Sequence, residues 1–380
     1  MKIDFRDFLI LLLTILWIIL YNKRMYSRKF SDPPKKIVHN GKAEFGSYIG
    51  VSPFIDIRGM KAPYAGIPVP SFLSSLRIKS KLNYAFSIKD FMGLASFIDF
   101  KAIGLGEIIL WNKVTGKKFV YHTIMPPRRR FVPVATTRGI CACYQKSRFI
   151  KISWGRQHQH HALTFKVKGD NVRPDVNGYI FSPMQDDMHC DFMFVNPSPA
   201  SSRCCATWVS TMNVQGHINI NSAKSANNNY SDDSNGLGMM VLNRAYYKMH
   251  SKQIFAYGIG TIKDKNIIFN LSNSNLDAAD SDSFNSNVLV VDGTATALPP
   301  VYITHPFGIS KQWIIQDTEN MIDLTFMPVS VNSRDLNIIA LRTVYDTVFG
   351  YFDGALLTND GEKINLKNLP GILQRGMLRL

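Results

Sequence analysis

The sequence predicts an all-β protein preceded by one apolar helix, and two observations lead to this prediction. Short stretches in which apolar and polar residues alternate recur along the chain, as in residues 82–88, 149–154 and 162–167. A period of two residues is typical of half-buried strands. Turn-forming residues separate these stretches, and no long segment beyond the N-terminal one has sustained helical periodicity. Short, evenly spaced strands of this kind indicate a β-sandwich or barrel.

The clearest strand pair is near the C-terminus, in residues 338–366. Asp360 and Gly361 there supply the positive backbone angles of a tight turn. Beyond them, Ile364 and Leu366 alternate with polar residues, as in a strand with one buried face. A second hairpin is predicted at the turn formed by residues 115–117.

Charge and composition limit the classes of partner. The 380 residues are 46% apolar and 12% aromatic, and their net charge is +16. This composition supports a buried core and excludes a disordered chain. A basic surface attracts nucleic acid or anionic membranes, although it can also be solvated without a partner. The chain has no zinc-finger spacing and no helix-turn-helix pattern, so we predict no nucleic-acid partner.

Residues 8–21 form an apolar run that is interrupted only by Thr14. As a helix it would be about 21 Å long, short for a hydrocarbon core of about 30 Å, although flanking residues can extend it. We predict an uncleaved membrane anchor. A cleaved signal peptide and a buried core helix are the alternatives. Lys23, Arg24, Arg28 and Lys29 follow the run, and this excess of positive charge predicts a single-pass anchor with the body on the cytoplasmic face. Membrane lipids are therefore predicted partners.

Polar and proline-rich segments predict the domain organisation. Residues 1–30 hold the anchor and its basic flank, and residues 31–42 form a linker with Pro33 and Pro34. Residues 43–218 form a first β-barrel half, residues 219–235 an Asn/Ser/Asp-rich loop, and residues 236–380 a second half.

Cysteine and histidine patterns give no metal or cofactor prediction. Five cysteines without zinc-type spacing favour reduced thiols. His158 and His160 would share one face of a strand and could ligate a metal together. We favour the alternative, in which they belong to a polar turn with His161. We therefore predict neither a metal site nor a cofactor.

Several short motifs, each weak alone, follow one another from about residue 43 onward. They comprise Asn83-Tyr84, Trp111 with Thr115-Gly116, Asn243-Arg244 with Phe255-Ala256, Val291-Asp292-Gly293, Trp313 with Asp323-Leu324, Phe349-Gly350 with Gly354, Asp360-Gly361-Glu362, and Pro370-Gly371. In this order they resemble the uncharacterised bacterial family called domain of unknown function 2804.

This resemblance implies a fold and a set of candidate site positions. The family is similar to lipocalin-like double barrels such as carotenoid hydratases, which implies two successive, similar barrel or sandwich halves. Positions in the matching motifs supply candidate ligand-binding residues, namely Asn243, Arg244, Phe255, Asn287, Trp313 and Gln374. For Asn243 and Arg244, a structural hydrogen-bonding pair at a barrel mouth is the alternative.

The chain departs from the family where the family commonly has acids. Asn243, Ser286 and Gln374 stand at those positions, and neutral side chains of this kind cannot act as general acids or bases. We therefore favour a protein that binds an apolar small molecule or lipid in a β-barrel. A hydratase or isomerase acting on an isoprenoid or lipid, and a degenerate structural domain, are the alternatives. The sequence identifies no catalytic residue.

Overall fold

The computed structural model describes residues 26, 28–64, 70–101, 103–127, 131–155, 160–183, 187–221, 234–338 and 341–379. Within these residues the chain is built from strands, and the one helix, α1 (Ser71–Leu76), has six residues. The prediction of an all-β protein is confirmed. Two large antiparallel sheets account for nearly all of the strands.

Strands from the first half of the chain form the first large sheet. A separate pair, β1 (Val38–His39) and β2 (Lys42–Ala43), precedes it. The sheet contains β3 (Gly46–Ile49), β4 (Ile78–Ile88), β5 (Phe91–Asp99), β6 (Gly104–Asn112), β7 (Lys118–Met125), β8 (Arg138–Gln145), β9 (Arg148–Gly155), β10 (His160–Val167), β11 (Asp175–Ser182), β12 (Cys190–Pro197), β13 (Cys204–Asn221) and β14 (Ser234–Tyr246).

This first sheet curls until its two edges almost meet. The strand order is β7-β6-β5-β4-β14-β13-β11-β10-β9-β8, and β12 pairs with β13 and β3 beside this path. Side chains bridge the remaining gap, because Gln145 Nε2 donates to Ile124 O at 3.2 Å and Arg148 donates to the carbonyl of His122. The first sheet is therefore a nearly closed barrel.

The second sheet uses the rest of the chain and stays open. Its order is β18-β17-β16-β15-β23-β22-β21-β20-β19. The strands are β15 (His250–Ile262), β16 (Lys265–Ser274), β17 (Val288–Val291), β18 (Thr294–Ala297), β19 (Tyr302–Thr304), β20 (Trp313–Gln316), β21 (Ile322–Ile338), β22 (Leu341–Leu357) and β23 (Lys363–Arg379). It forms a half-barrel, so the two predicted halves differ in closure.

Strand β4 is buried along its whole length because both of its faces are covered. Leu82, Tyr84 and Phe86 point into the core of the first barrel. The alternate residues, including Ala85, face the second sheet and contribute to a separate core cluster. Since successive strand side chains point to opposite faces, Lys81 and Asn83 share that second face.

The core cluster between the sheets joins them into one body. Trp111 of the first sheet packs against Phe349 and Tyr351 of the second, with ring centroids 5.8 Å and 5.3 Å apart. Burial of each of these aromatic side chains stabilises the folded protein by on the order of 2–3 kcal/mol. The sheets therefore share a core.

The two predicted hairpins are confirmed. Residues 113–117 connect β6 to β7, and residues 358–362 connect β22 to β23. Gly361 has φ +82°, the positive angle that the Asp-Gly pair predicts. Most of β14 lies in the predicted second half, which begins at residue 236. In the structure this strand pairs with β13 and β4 and so belongs to the first sheet.

Some predictions fall outside the described residues. These include the apolar run at residues 8–21, the basic residues Lys23 and Arg24 that follow it, and His158. Within the described ranges, no helix combines the length and apolar character needed to cross a membrane.

The described chain begins with a segment that contacts both sheets. Half-buried Arg28 donates to Asn285 Oδ1 at 2.5 Å and to Asn287 O at 2.6 Å, both just before β17. Phe30 packs against Phe192 and Phe194 of β12, with ring centroids 5.6 Å and 6.3 Å apart.

Candidate functional site

A cavity of about 50 Å³ lies between the two sheets, bounded by β4–β6 on one side and by β15 and β21–β23 on the other. This volume holds a few water molecules. Its apolar lining consists of Ile98, Phe100, Leu105, Tyr247, Phe255, Met377 and Leu378. Its polar lining includes Lys79, Ser80, Lys81, Ser96, Glu107, Ser251, Gln253, Arg334, Thr343 and Tyr345.

Strand register places the central polar side chains. Lys81 on β4 is directly opposite Asn243 on β14. On the facing sheet, Phe255 of β15 is directly opposite Gln374 of β23. Residues directly opposite each other in an antiparallel pair project from the same face. Each sheet therefore contributes one pair to the interface.

Lys81 is the main chemical feature of the cavity. Its side chain is 6% exposed, and Nζ donates to Gln374 Oε1 at 2.9 Å. The ammonium group also lies over two aromatic rings, 4.8 Å from the centroid of Phe255 and 4.7 Å from that of Tyr345. Burial lowers the pKa of Lys81 to about 7, while Glu107 acts in the opposite direction.

A hydrogen-bond network fixes the acceptor for Lys81. Asn83 Nδ2 donates to Gln374 Oε1 at 2.7 Å and to Tyr257 Oη at 2.9 Å. Ser96 Oγ donates to Asn83 Oδ1 at 2.8 Å. Because the Gln374 oxygen accepts from both Lys81 and Asn83, its amide nitrogen must point elsewhere.

A buried ion pair joins the two sheets beside Lys81. Arg334 Nη2 on β21 is 2.6 Å from Glu107 Oε1 on β6. Burial raises the pKa of the Glu107 carboxyl, and the nearby charges of Arg334 and Lys81 oppose this effect. The cavity lining thus includes three basic side chains, Lys79, Lys81 and Arg334, and one carboxyl group, that of Glu107.

Three buried donors near this cluster have no hydrogen-bond partner among the described residues. They are Tyr345 Oη, Thr347 Oγ1 and Gln374 Nε2. Leaving such a group unpaired costs about 1–3 kcal/mol. Of these three residues, Tyr345 lines the cavity, so a ligand that presents an oxygen acceptor to its hydroxyl would recover part of that cost.

A smaller cavity of about 20 Å³ adjoins the first, and Gln253 and Phe255 line both. Asn243 lines it and donates from Nδ2 to Thr207 Oγ1 at 2.8 Å. Half-buried Asp277 also lines it. Burial raises the Asp277 pKa to about 7, against a lowering effect of the Ser274 backbone N–H.

The predicted site residues therefore fall into two groups. Phe255 and Gln374 meet at Lys81, and Asn243 lines the adjoining cavity. Arg244 instead faces the interior of the first barrel, where it donates to Ser80 Oγ at 3.0 Å and to backbone carbonyls.

Asn287 and Trp313 also lie away from the cavity. Asn287 Nδ2 donates to Pro299 O at 2.7 Å and supports the loop before β17. Trp313 Nε1 donates to Ile309 O at 2.9 Å, and its ring is buried in the core of the second sheet. Both contacts are local and structural.

Sequence reasoning missed Lys81, Glu107 and Arg334. Lysine and glutamate are normally exposed in strands, so neither residue type indicates a buried site from the sequence. The available signal was the alternation in β4, where Lys79, Lys81 and Asn83 occupy one face opposite apolar residues.

The described histidines do not form a metal centre. His160 and His161 are consecutive in β10 and point to opposite faces of the sheet. Across the described ranges, no three His, Cys, Asp or Glu residues are grouped as a metal site requires.

Comparison with known proteins identifies similar structures and a family. CghA with Sch210972 is 10% identical over 80% of this chain and 88% of that chain, with a TM-score of 0.40. Kievitone hydratase from Nectria haematococca is 9% identical over 86% and 98% of the two chains, also with a TM-score of 0.40. At these scores and identities the two matches carry no conclusion about this chain. No curated protein gives a significant match.

The family assignment rests on a match of the sequence itself. The model of the family described as "Domain of unknown function (DUF2804)" matches residues 66–379. This range includes both sheets from β4 onward and every residue of the cavity. The chain belongs to the DUF2804 family.

Proposed function

We propose that the protein is an enzyme that transfers a proton on a small, largely apolar molecule held between its two sheets. Lys81 is the group that exchanges the proton. The observation that carries this proposal is the burial of the Lys81 amine in a cavity, where its one hydrogen-bond acceptor in the described structure is the neutral amide of Gln374.

A lysine with a purely structural role is expected to be better satisfied. Lys79, two residues earlier on the same face, donates to Phe100 O at 2.6 Å and to Leu76 O at 3.2 Å. Lys81 has one acceptor and two aromatic faces instead. Burial of a poorly solvated cation is costly, and groups with a pKa near the working pH are effective proton donors and acceptors. Both facts favour a functional role for Lys81.

The cavity lining supports a particular ligand class. Phe255, Met377 and Leu378 provide apolar contacts, whereas the unpartnered hydroxyl of Tyr345 would bind one oxygen acceptor. A mostly apolar molecule with a single carbonyl or hydroxyl group fits this lining. An isomerisation or an addition–elimination reaction requires only proton transfers on such a molecule.

Solvent isotope exchange tests this proposal. The protein is incubated in D₂O with a panel of small cyclic and branched unsaturated ketones, and deuterium incorporation beside the carbonyl is followed by mass spectrometry. We expect catalysed exchange with the wild type and with Lys166→Met, in which an exposed strand lysine is removed. Lys81→Met should reduce the rate at least about 100-fold, in the range typical of general acid–base catalysis.

Binding without chemistry is the second candidate, and the amides at Asn243 and Gln374 favour it because they exchange no protons. Native mass spectrometry distinguishes the two functions. A co-purifying apolar ligand, together with an absence of Lys81-dependent exchange across the panel, would replace the enzyme proposal with a binding protein.

We also propose that residues 8–21 hold the protein at a membrane whose lipids supply the ligand. The apolar run and the basic residues that follow it support this location. Cell fractionation of the full chain and of a variant lacking residues 1–25 tests it. Equal recovery of both proteins in the soluble fraction contradicts the proposal.

A further inference from the structure

We propose that the ligands of the cavity are aldehydes or ketones, and that Lys81 binds them covalently as a reversible imine. This inference rests on the proposed function, since it names the substrate class of the same site. It adds a bond that proton transfer alone does not require.

The Lys81 amine is buried without a counter-charge. Nζ lies over the rings of Phe255 and Tyr345 and donates to a neutral oxygen of Gln374. No carboxylate oxygen forms an ion pair with it among the described residues. The ring faces and the Gln374 oxygen favour the ammonium form, but burial away from water lowers the pKa of Lys81. The neutral amine, which is the nucleophile in imine formation, is therefore accessible near neutral pH.

Lys79 lines the same cavity but is bound differently. Its Nζ donates to two backbone carbonyls, at 2.6 Å and 3.2 Å. Burial lowers the pKa of Lys79 to about 8, but these acceptors favour its ammonium form and direct it along β4 towards Phe100 and Leu76. Of the two lysines, Lys81 is the one whose amine lies over aromatic rings, one of them the ring of Tyr345 with its unpartnered hydroxyl.

The cavity also offers a donor for the carbonyl oxygen. Tyr345 lines it, and its Oη is buried and has no partner among the described residues. The ring of Tyr345 lies 4.7 Å from the Lys81 nitrogen. A carbonyl group whose carbon contacts Nζ can therefore direct its oxygen to a hydrogen-bond donor, which polarises the C=O bond.

The chemistry balances without any added oxidant or reductant. The nitrogen lone pair of Lys81 forms a bond to the carbonyl carbon, and the π electrons move to the oxygen. Both amine protons leave with that oxygen as water when the C–O bond breaks. The imine nitrogen then takes a proton from solvent water, and the charge of Glu107 favours the resulting cation.

Reductive trapping tests the inference on the full chain. The protein is treated at neutral pH with propanal and sodium cyanoborohydride, which reduces an imine to a stable propyl-lysine. Peptide mapping by mass spectrometry then gives the labelling rate of each lysine. An amine that is half neutral at pH 7 has roughly a thousandfold more nucleophile than a lysine of pKa about 10.4. We therefore expect Lys81 to be labelled at least about tenfold faster than Lys166, even after a penalty for burial.

Variants separate this chemistry from an effect on folding. Lys81→Arg keeps a cation in the cavity and removes the reactive amine, so the fast label should disappear while the circular dichroism spectrum stays unchanged. Lys166→Arg should retain the fast label. In urea, where the cavity is lost, the two lysines should be labelled at similar rates. Labelling of native Lys81 at or below the rate of Lys166 overturns the inference.

The result also separates this inference from the proposed function. Lys81-dependent deuterium exchange without trapping of Lys81 leaves proton transfer in place and removes the covalent step. Trapping without any exchange supports the carbonyl site and removes proton-transfer catalysis.

Discussion

Replacing Lys81 with methionine is expected to stabilise the protein, and to do so more at low pH than at high pH. Methionine has a similar length and no charge, so it fills the same space between the Phe255 and Tyr345 rings. The substitution removes the cost of burying an ammonium group, and it also removes the hydrogen bond to Gln374. The first effect depends on pH, whereas the second is nearly constant.

The pKa shift of Lys81 determines how much the Lys81→Met substitution stabilises the protein. Lys81 falls from its ordinary pKa of 10.5 to about 7 in the folded protein, which corresponds to about 5 kcal/mol at 1.36 kcal/mol per unit. Between these two pKa values the unfolded chain binds more protons than the folded one, so wild-type stability rises with pH. The full free-energy cost of burying the Lys81 ammonium group is present below pH 7 and is absent above pH 10.5.

The lost hydrogen bond offsets about 1 kcal/mol of this gain. Lys81→Met should therefore raise the free energy of unfolding by about 4 kcal/mol at pH 6 and by about 1 kcal/mol at pH 9. Urea unfolding at constant ionic strength, followed by tryptophan fluorescence, measures both values. The control Lys166→Met removes an exposed lysine and should show no such pH dependence.

A stability difference that stays the same from pH 6 to pH 9 would refute the reasoning, because it would mean that Lys81 keeps an ordinary pKa when folded. A loss of stability at pH 6 would equally show that the ammonium group is well solvated or paired. Either result would also remove the basis for a neutral amine in the cavity.

Three further substitutions test the surrounding structure by the same urea assay. Glu107→Gln leaves the half-buried Arg334 guanidinium without its counter-charge, so we expect a loss of about 2 kcal/mol. A loss below about 1 kcal/mol would indicate a solvated pair. Gly93→Ala places a Cβ 2.1 Å from Phe86 Cζ, and overpacking of this kind should cost about 2 kcal/mol; an unchanged midpoint contradicts that close contact. Tyr345→Phe removes a buried, unpartnered hydroxyl and should stabilise the ligand-free protein by about 1 kcal/mol, whereas destabilisation would reveal a hydrogen bond to that hydroxyl.

The sequence predicted the type of structure well because strand and turn signals are local. Alternation within residues 149–154 and 162–167 identifies β9 and β10, and Asp360-Gly361 identifies the turn before β23. These patterns depend on neighbours only a few residues apart. The class of fold could therefore be read without knowledge of which strands pair.

The site could be predicted only in part because long-range pairing creates it. Gln374 and Phe255 were found through motif resemblance, but nothing near Lys81 in the sequence indicates that a second sheet covers it. Glu107 and Arg334 are 227 positions apart, so their ion pair has no local signature. The extent of the first sheet past residues 219–235 likewise depends on the pairing of β14 with β4.

The pairing of β23 with β15 has a consequence for how the protein reaches its folded state. The ladder forms only when residues 250–258 pair with residues 371–379, which lie more than a hundred positions later in the chain. The contact between Lys81 and Gln374 spans 293 positions. Closing such distant contacts is slow, because chain entropy is lost before the contacts stabilise the product. Until that step, the edge of β15 is unpaired and able to join a strand from another chain. Because β15 and β23 both line the cavity, the cavity is complete only after this distant pairing has formed.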